Sequence, residues 1–97
     1  MKIKRKRLEE LYALYDERGK YLTEHMENAF KDEPKAIKAF EKSKEIDQKI
    51  EAKADEIAKE EDELTSLFVT RLANVIYPKS LARCMKCLEV CGVEVVG

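Results

Sequence analysis

The stretch LTSLFVTRLANVIY, residues 64–77, decides how this chain can fold. Wound at the helical period, Leu64, Leu67, Phe68 and Val75 fall on one side, while Val69, Leu72, Ala73 and Ile76 turn onto the other. A helix apolar nearly all round has to be covered on more than one side. It is too short for the ~18 apolar residues of a membrane span, and Arg71 interrupts it, so the expected cover is protein and not lipid.

The rest of the chain is far more polar. Charged residues make up 40% of the 97 positions, and the net charge is only -1, so the overall field favours neither nucleic acid nor basic partners. Two prolines and three glycines are the only strong punctuation in a sequence rich in Lys, Glu, Leu and Ala, a composition of long helices or coiled coils. Asn28, Gln48 and Asn74 are the only side-chain amides. The basic start has no apolar stretch behind it, which argues against a secretory signal, and three cysteines crowded near the C-terminus do not make a disulfide framework. The reading is a soluble cytoplasmic protein without cofactor.

In chain order, KIKRKR at residues 2–7 is basic at five of six positions. Leu8, Leu11, Tyr12, Tyr15, Leu22, Met26 and Phe30 then recur at three- and four-residue steps, predicting an amphipathic helix over residues 8–30. Asp32-Glu33-Pro34 stops it and opens a second helix, since proline suits a first turn and acids favour its positive end. That helix runs on Ile37, Phe40, Ile46, Ile50, Ala54 and Ile57, with no Gly or Pro before Pro78, so it is expected to continue through residues 64–77, with a kink allowed near Thr65-Ser66. Ser80 is a candidate N-cap for a third helix carrying Leu81, Cys84, Met85, Leu88 and Cys91 on one face, with Gly92 its C-terminal cap. The tail Val93-Glu94-Val95-Val96 is β-prone but too short for a sheet alone.

A tight turn at residues 31–33 would pair residues whose numbers add to about 65. Leu8 then meets Ile57, Leu11 meets Ala54, Tyr15 meets Ile50, Gly19 meets Ile46, and Met26 meets Ala39 or Phe40. The same register brings Lys2, Lys4, Arg5 and Arg7 beside Glu60, Glu61, Asp62 and Glu63, giving both charge runs a structural explanation.

These observations predict an all-α fold: an antiparallel, coiled-coil-like hairpin (residues 1–63) with a long second helix, and an apolar C-terminal segment (residues 64–97) whose short last helix folds back. One short helix cannot cover residues 64–77 on all sides, so a second copy, or another protein, is expected to supply the missing surface. The functional expectation is a non-enzymatic protein–protein interaction module, a small adaptor, inhibitor or assembly factor. It would self-associate, as a dimer by preference, through Leu64, Leu67, Phe68, Leu72, Val75, Ile76, Leu81, Met85 and Leu88, and bind a further protein. The rival is a nucleic-acid-associated regulator using Lys2, Lys4, Arg5, Lys6 and Arg7, although no aromatic interleaves that run. Third is a metal or redox module on Cys84, Cys87 and Cys91, a Cys-x2-Cys-x3-Cys spacing that lacks a fourth ligand and reads more simply as packing. The inner faces offer only Ser43 and tyrosine hydroxyls as polar groups, too few for catalysis.

Overall fold

A computed structural model describes the backbone of residues 1–76 and 81–97; the expectations for the Val75 and Ile76 side chains and for residues 77–80, including the Ser80 cap, lie outside the described residues. The chain is predominantly helical. In order it runs β1 (Lys2–Lys4), α1 (Arg5–Asn28), α2 (Glu33–Glu60), α3 (Glu63–Ile76), α4 (Leu81–Val90) and β2 (Glu94–Val96).

The turn between α1 and α2 forms for the reasons its residues suggest. Asp32 is the N-cap of α2: its carboxylate accepts from the Lys35 backbone N–H at 3.2 Å, and Pro34 occupies the first turn, where no amide partner is needed. Contacts between the helices then run in opposite orders. Arg7 reaches Glu60, Glu10 reaches Lys53, Arg18 reaches Asp47, and His25 Nδ1–H donates to the Ala36 carbonyl at 2.8 Å. Between them lie the buried stripes Leu8, Leu11 and Tyr15 on α1 and Ala36, Ala39, Ser43, Ile46, Ile50 and Ile57 on α2.

The expected single helix from residue 34 to 77 is two helices. α2 ends at Glu60, Glu61 leaves helical geometry with φ -112° and ψ -91°, and Asp62 starts α3 by accepting from the Thr65 backbone N–H at 2.6 Å. The break lies just ahead of Thr65-Ser66, and its cause is the cap. An aspartate three residues before Thr65 satisfies the first amides of a new helix, and its carboxyl sits below the ordinary range because that backbone hydrogen bond favours the charged form. The reversal lays α3 back along α1 and α2. Ser66 Oγ donates to the Ala54 carbonyl at 2.6 Å, Tyr15 Oη donates to the Thr70 carbonyl at 3.3 Å, and Arg18 reaches Asn74 Oδ1 at 2.8 Å. Thr65, Ser66, Val69 and Ala73 are buried on this seat.

α4 closes with the glycine expected of it. Gly92 has φ +88°, its N–H donates to the Glu89 carbonyl, and the Val93 N–H donates to the Leu88 carbonyl at 2.8 Å, a Schellman ending with buried Val93 and Leu88 beside it. The chain then leaves extended, and here the structure adds an element absent from the sequence reading. The basic start is not wholly helical: β2 pairs in parallel with β1, aligning Lys2 with Glu94, Ile3 with Val95 and Lys4 with Val96. The tail is indeed too short for a sheet alone, and its partner is the chain's own beginning. Ile3 and Val93 are both 0% exposed and join Leu8, Leu11, Ile57, Val69, Cys84 and Leu88 in one core.

Candidate functional site

The apolar C-terminal stripe is distributed between core and surface. Leu88 is fully buried, and Phe68, Leu72, Leu81 and Met85 are half-buried against the chain's own core. Leu64 and Leu67 face outward at 67% and 49% exposure. Much of the surface that the sequence assigns to a second copy is therefore covered by α1, α2 and α4.

The larger uncovered surface lies where the sequence pattern implies core. Met26 is 74% exposed, Phe30 102%, Ile37 50% and Phe40 40%. All four sit near the turn joining α1 to α2, and geometry explains their exposure. α2, with 28 residues, is about 42 Å long, whereas α3, with 14, is about 21 Å. α3 begins beside the open end of the pair, and its Asn74 is level with Arg18 and Asp47, about midway. The stripe that seats it goes on. Leu8, Leu11, Tyr15, Leu22 and Met26 fall within about 60° of one another around α1, and Ala54, Asp47 and Phe40 recur at seven-residue steps along α2. Tyr15 and Ala54 of these series bond Thr70 and Ser66 of α3, while Met26 and Phe40, farther toward the turn, are exposed. Between the helices there, the buried residues are small: Ala36, Ala39 and Ser43. Phe40 packs at 5.1 Å from the His25 ring and carries the Lys44 ammonium 5.2 Å from its centroid.

An open trough of about 520 Å³ lies between α1 and α2 over Ala13, Leu14 and Ala52. Three of its charged rim residues are paired, Lys53 bonding Glu10 and Glu56. This network continues through Arg7, which bonds Glu10 at 3.2 Å, Glu56 at 2.9 Å and Glu60 at 2.7 Å. Of the basic run, Arg7 is thus engaged with carboxylates, Arg5 pairs with Glu9, and Lys2, Lys4 and Lys6 are exposed around the strand and first turn.

The ladder has a pH signature. The hydrogen bond from Lys53 lowers the Glu10 pKa, and that from Arg7 lowers the Glu60 pKa, both from an ordinary 4.5. A carboxylate whose folded pKa lies below its unfolded value stabilises the fold above the unfolded value and loses that contribution as pH falls through the folded one. The melting midpoint is expected to hold from pH 7 to about 5 and to decline below about 4.5, with a shallower decline in Glu60→Gln. A midpoint insensitive to pH down to about 3 would show that these pairs contribute nothing.

The three cysteines occupy three environments. Cys84 is buried, and burial raises its thiol pKa, with Cys87 adding to the rise; Cys87 is intermediate and Cys91 exposed. Among the described residues, no three His, Cys, Asp or Glu side chains converge as metal ligands. Native-state alkylation is expected to modify Cys91 quickly, Cys87 more slowly and Cys84 only on unfolding, because a buried protonated thiol is a poor nucleophile. Equal rates at all three would contradict the placement of α4. Cys84→Ser is expected to lower stability by about 1–2 kcal/mol, by burying a hydroxyl where a thiol packs, and Cys91→Ser to change little.

No helix among the described residues is long and apolar enough to cross a membrane. No protein-family model matches the chain, and no curated protein or solved structure shows significant similarity to it.

Proposed function

We propose that the chain is a cytoplasmic, non-enzymatic protein–protein interaction module: an antiparallel helical hairpin whose base is closed by α3, α4 and the terminal strands, and whose far end is presented to a protein partner. The observation that carries this reading is the exposure of Met26, Phe30, Ile37 and Phe40 together at that end; among the described residues, the other exposed large apolar side chains are Met1, Leu64, Leu67 and Val90. Exposed apolar side chains grouped on one end of a fold and surrounded by charge mark a contact site. The trough over Ala13 and Ala52 fits a non-enzymatic role, because Glu10, Lys53 and Glu56 on its rim are bonded to one another.

The test compares the wild-type chain with a variant carrying Phe30→Glu and Ile37→Glu. Both side chains are at least half exposed, so the fold is expected to persist. Tagged wild-type protein in an extract of its source cells is expected to retain a defined protein, which can be a second copy, and the variant to lose it. Retention of the same protein by a folded variant would show that the binding surface is elsewhere.

A further inference from the structure

We infer that Cys87 and Cys91, one turn apart on the outer face of α4, form a two-thiolate site for a soft monovalent metal ion, Cu(I). Packing is the simpler reading of the three cysteines from sequence, and in the structure it accounts for Cys84 alone, which is 0% exposed in the core. Cys87 is half-buried and Cys91 exposed. The Cys91 N–H donates to the Cys87 carbonyl at 3.0 Å, so the helical repeat continues through Cys91 although α4 ends at Val90. Side chains four apart on a helix have Cβ atoms about 5–6 Å apart. Both cysteines line one open hollow of about 340 Å³, together with Arg83, Lys86 and Val90.

The donor set chooses the ion. Thiolates are soft ligands, and they select Cu(I) or zinc over hard cations. Structural zinc takes four donors, and among the described residues no three His, Cys, Asp or Glu side chains are grouped to supply them. Cu(I) is satisfied by two sulfurs in a near-linear arrangement. Two metal–sulfur bonds of about 2.3 Å each, the length of a zinc–thiolate bond, span the gap between side chains one turn apart. Charge agrees with this choice. Each thiol gives up its proton on binding and no electron is transferred, so one Cu(I) and two thiols become a singly negative complex and two protons. Arg83 and Lys86 line the same hollow, and their positive charge favours that anion over the free thiols. A zinc ion on the same pair would form a neutral complex with two open positions and would gain nothing from these cations. The exposure of Cys91 leaves the pair an entry path.

The test titrates the reduced chain, without oxygen, into the coloured Cu(I) complex of bicinchoninate, a chelator whose absorbance reports the copper it retains. Wild type is expected to withdraw one Cu(I) per chain and to gain the near-ultraviolet absorbance of copper–thiolate bonds. Cys87→Ser and Cys91→Ser are each expected to weaken uptake by about tenfold or more while keeping native helicity. Cys84→Ser, measured below its lowered melting midpoint, is expected to take up copper like wild type. Copper left with the chelator by wild type overturns the inference, as does uptake that survives Cys87→Ser or Cys91→Ser. Uptake lost in a folded Cys84→Ser chain also overturns it, and so does one Cu(I) per two chains, which would mean that the ion bridges separate copies. None of these outcomes involves the hairpin end, so the metal site stands or falls apart from the proposed binding role.

Discussion

Val69→Glu is expected to leave the chain largely unfolded at 25 °C, at any protein concentration. Val69 is 0% exposed on α3 and belongs to the core that contains Leu8, Leu11 and Ile57. Burying an unpaired carboxylate costs several kcal/mol even after its pKa rises to neutralise it, and the glutamate is also longer than the site. The whole stability of a domain this size is about 5–15 kcal/mol, so one such change removes most of it. Circular dichroism gives the result directly: loss of the cooperative thermal transition. Leu64→Glu, on the same helix but at an exposed position, is the control and is expected to melt like wild type. If Val69→Glu instead yields a folded, cooperatively melting monomer, α3 does not pack into its own chain's core.

Ile3→Ala has the second largest expected effect, about 2–4 kcal/mol, and lowers the melting midpoint by roughly 10–25 °C. Little about Ile3 suggests this from sequence, since it is a lone apolar residue among lysines and arginines. In the structure it is the buried middle residue of β1, facing the core with Lys2 and Lys4 turned outward. Its removal takes away a full side chain at the point where both ends of the chain are tied together by pairing with Val95. Lys4→Ala, exposed on the same strand, is expected to change the midpoint by no more than a degree or two. Equal, small effects of both substitutions would mean that the strand pair is not formed in solution.

These two positions also mark where sequence reasoning succeeds and stops. The predominantly helical character, the stop at Asp32-Glu33-Pro34 and the cap at Gly92 were legible because each has a local cause: a capping carboxylate, a ring that cannot donate, a positive φ. The buried stripes Leu8, Leu11 and Tyr15 and Ile46, Ile50 and Ile57 follow from period alone. The break after Glu60 was harder, because Glu61-Asp62 contains neither glycine nor proline; its only signal is an aspartate three residues before Thr65, within a run of acids that looks like solvated surface. Three-residue strands show almost no alternation, and a parallel pair joining the two ends depends on contacts no local pattern records.

The candidate surface was hidden for a different reason. Met26 continues the apolar periodicity of Leu8, Leu11 and Tyr15, Phe40 lies two heptads from Ala54, and a stripe reads alike whether a third helix covers it or not. Only the length of α3, half that of α2, leaves the far end bare. The sequence reading sought a second copy to cover residues 64–77; with α3 folded back, Leu64 and Leu67 stay exposed there, and further apolar side chains are exposed near the turn at residues 29–32.

Amide hydrogen exchange measured at two protein concentrations, about 1 µM and 200 µM, separates these placements most directly. Amides of α3 are expected to be protected equally at both concentrations, because their cover comes from their own chain. Those around Met26 and Phe40 are expected to exchange more readily than those of α3 at both, because no other segment of the chain covers these side chains. Protection of α3 that appears only at high concentration, with no change near the turn, would contradict the account and place the association surface back on residues 64–76.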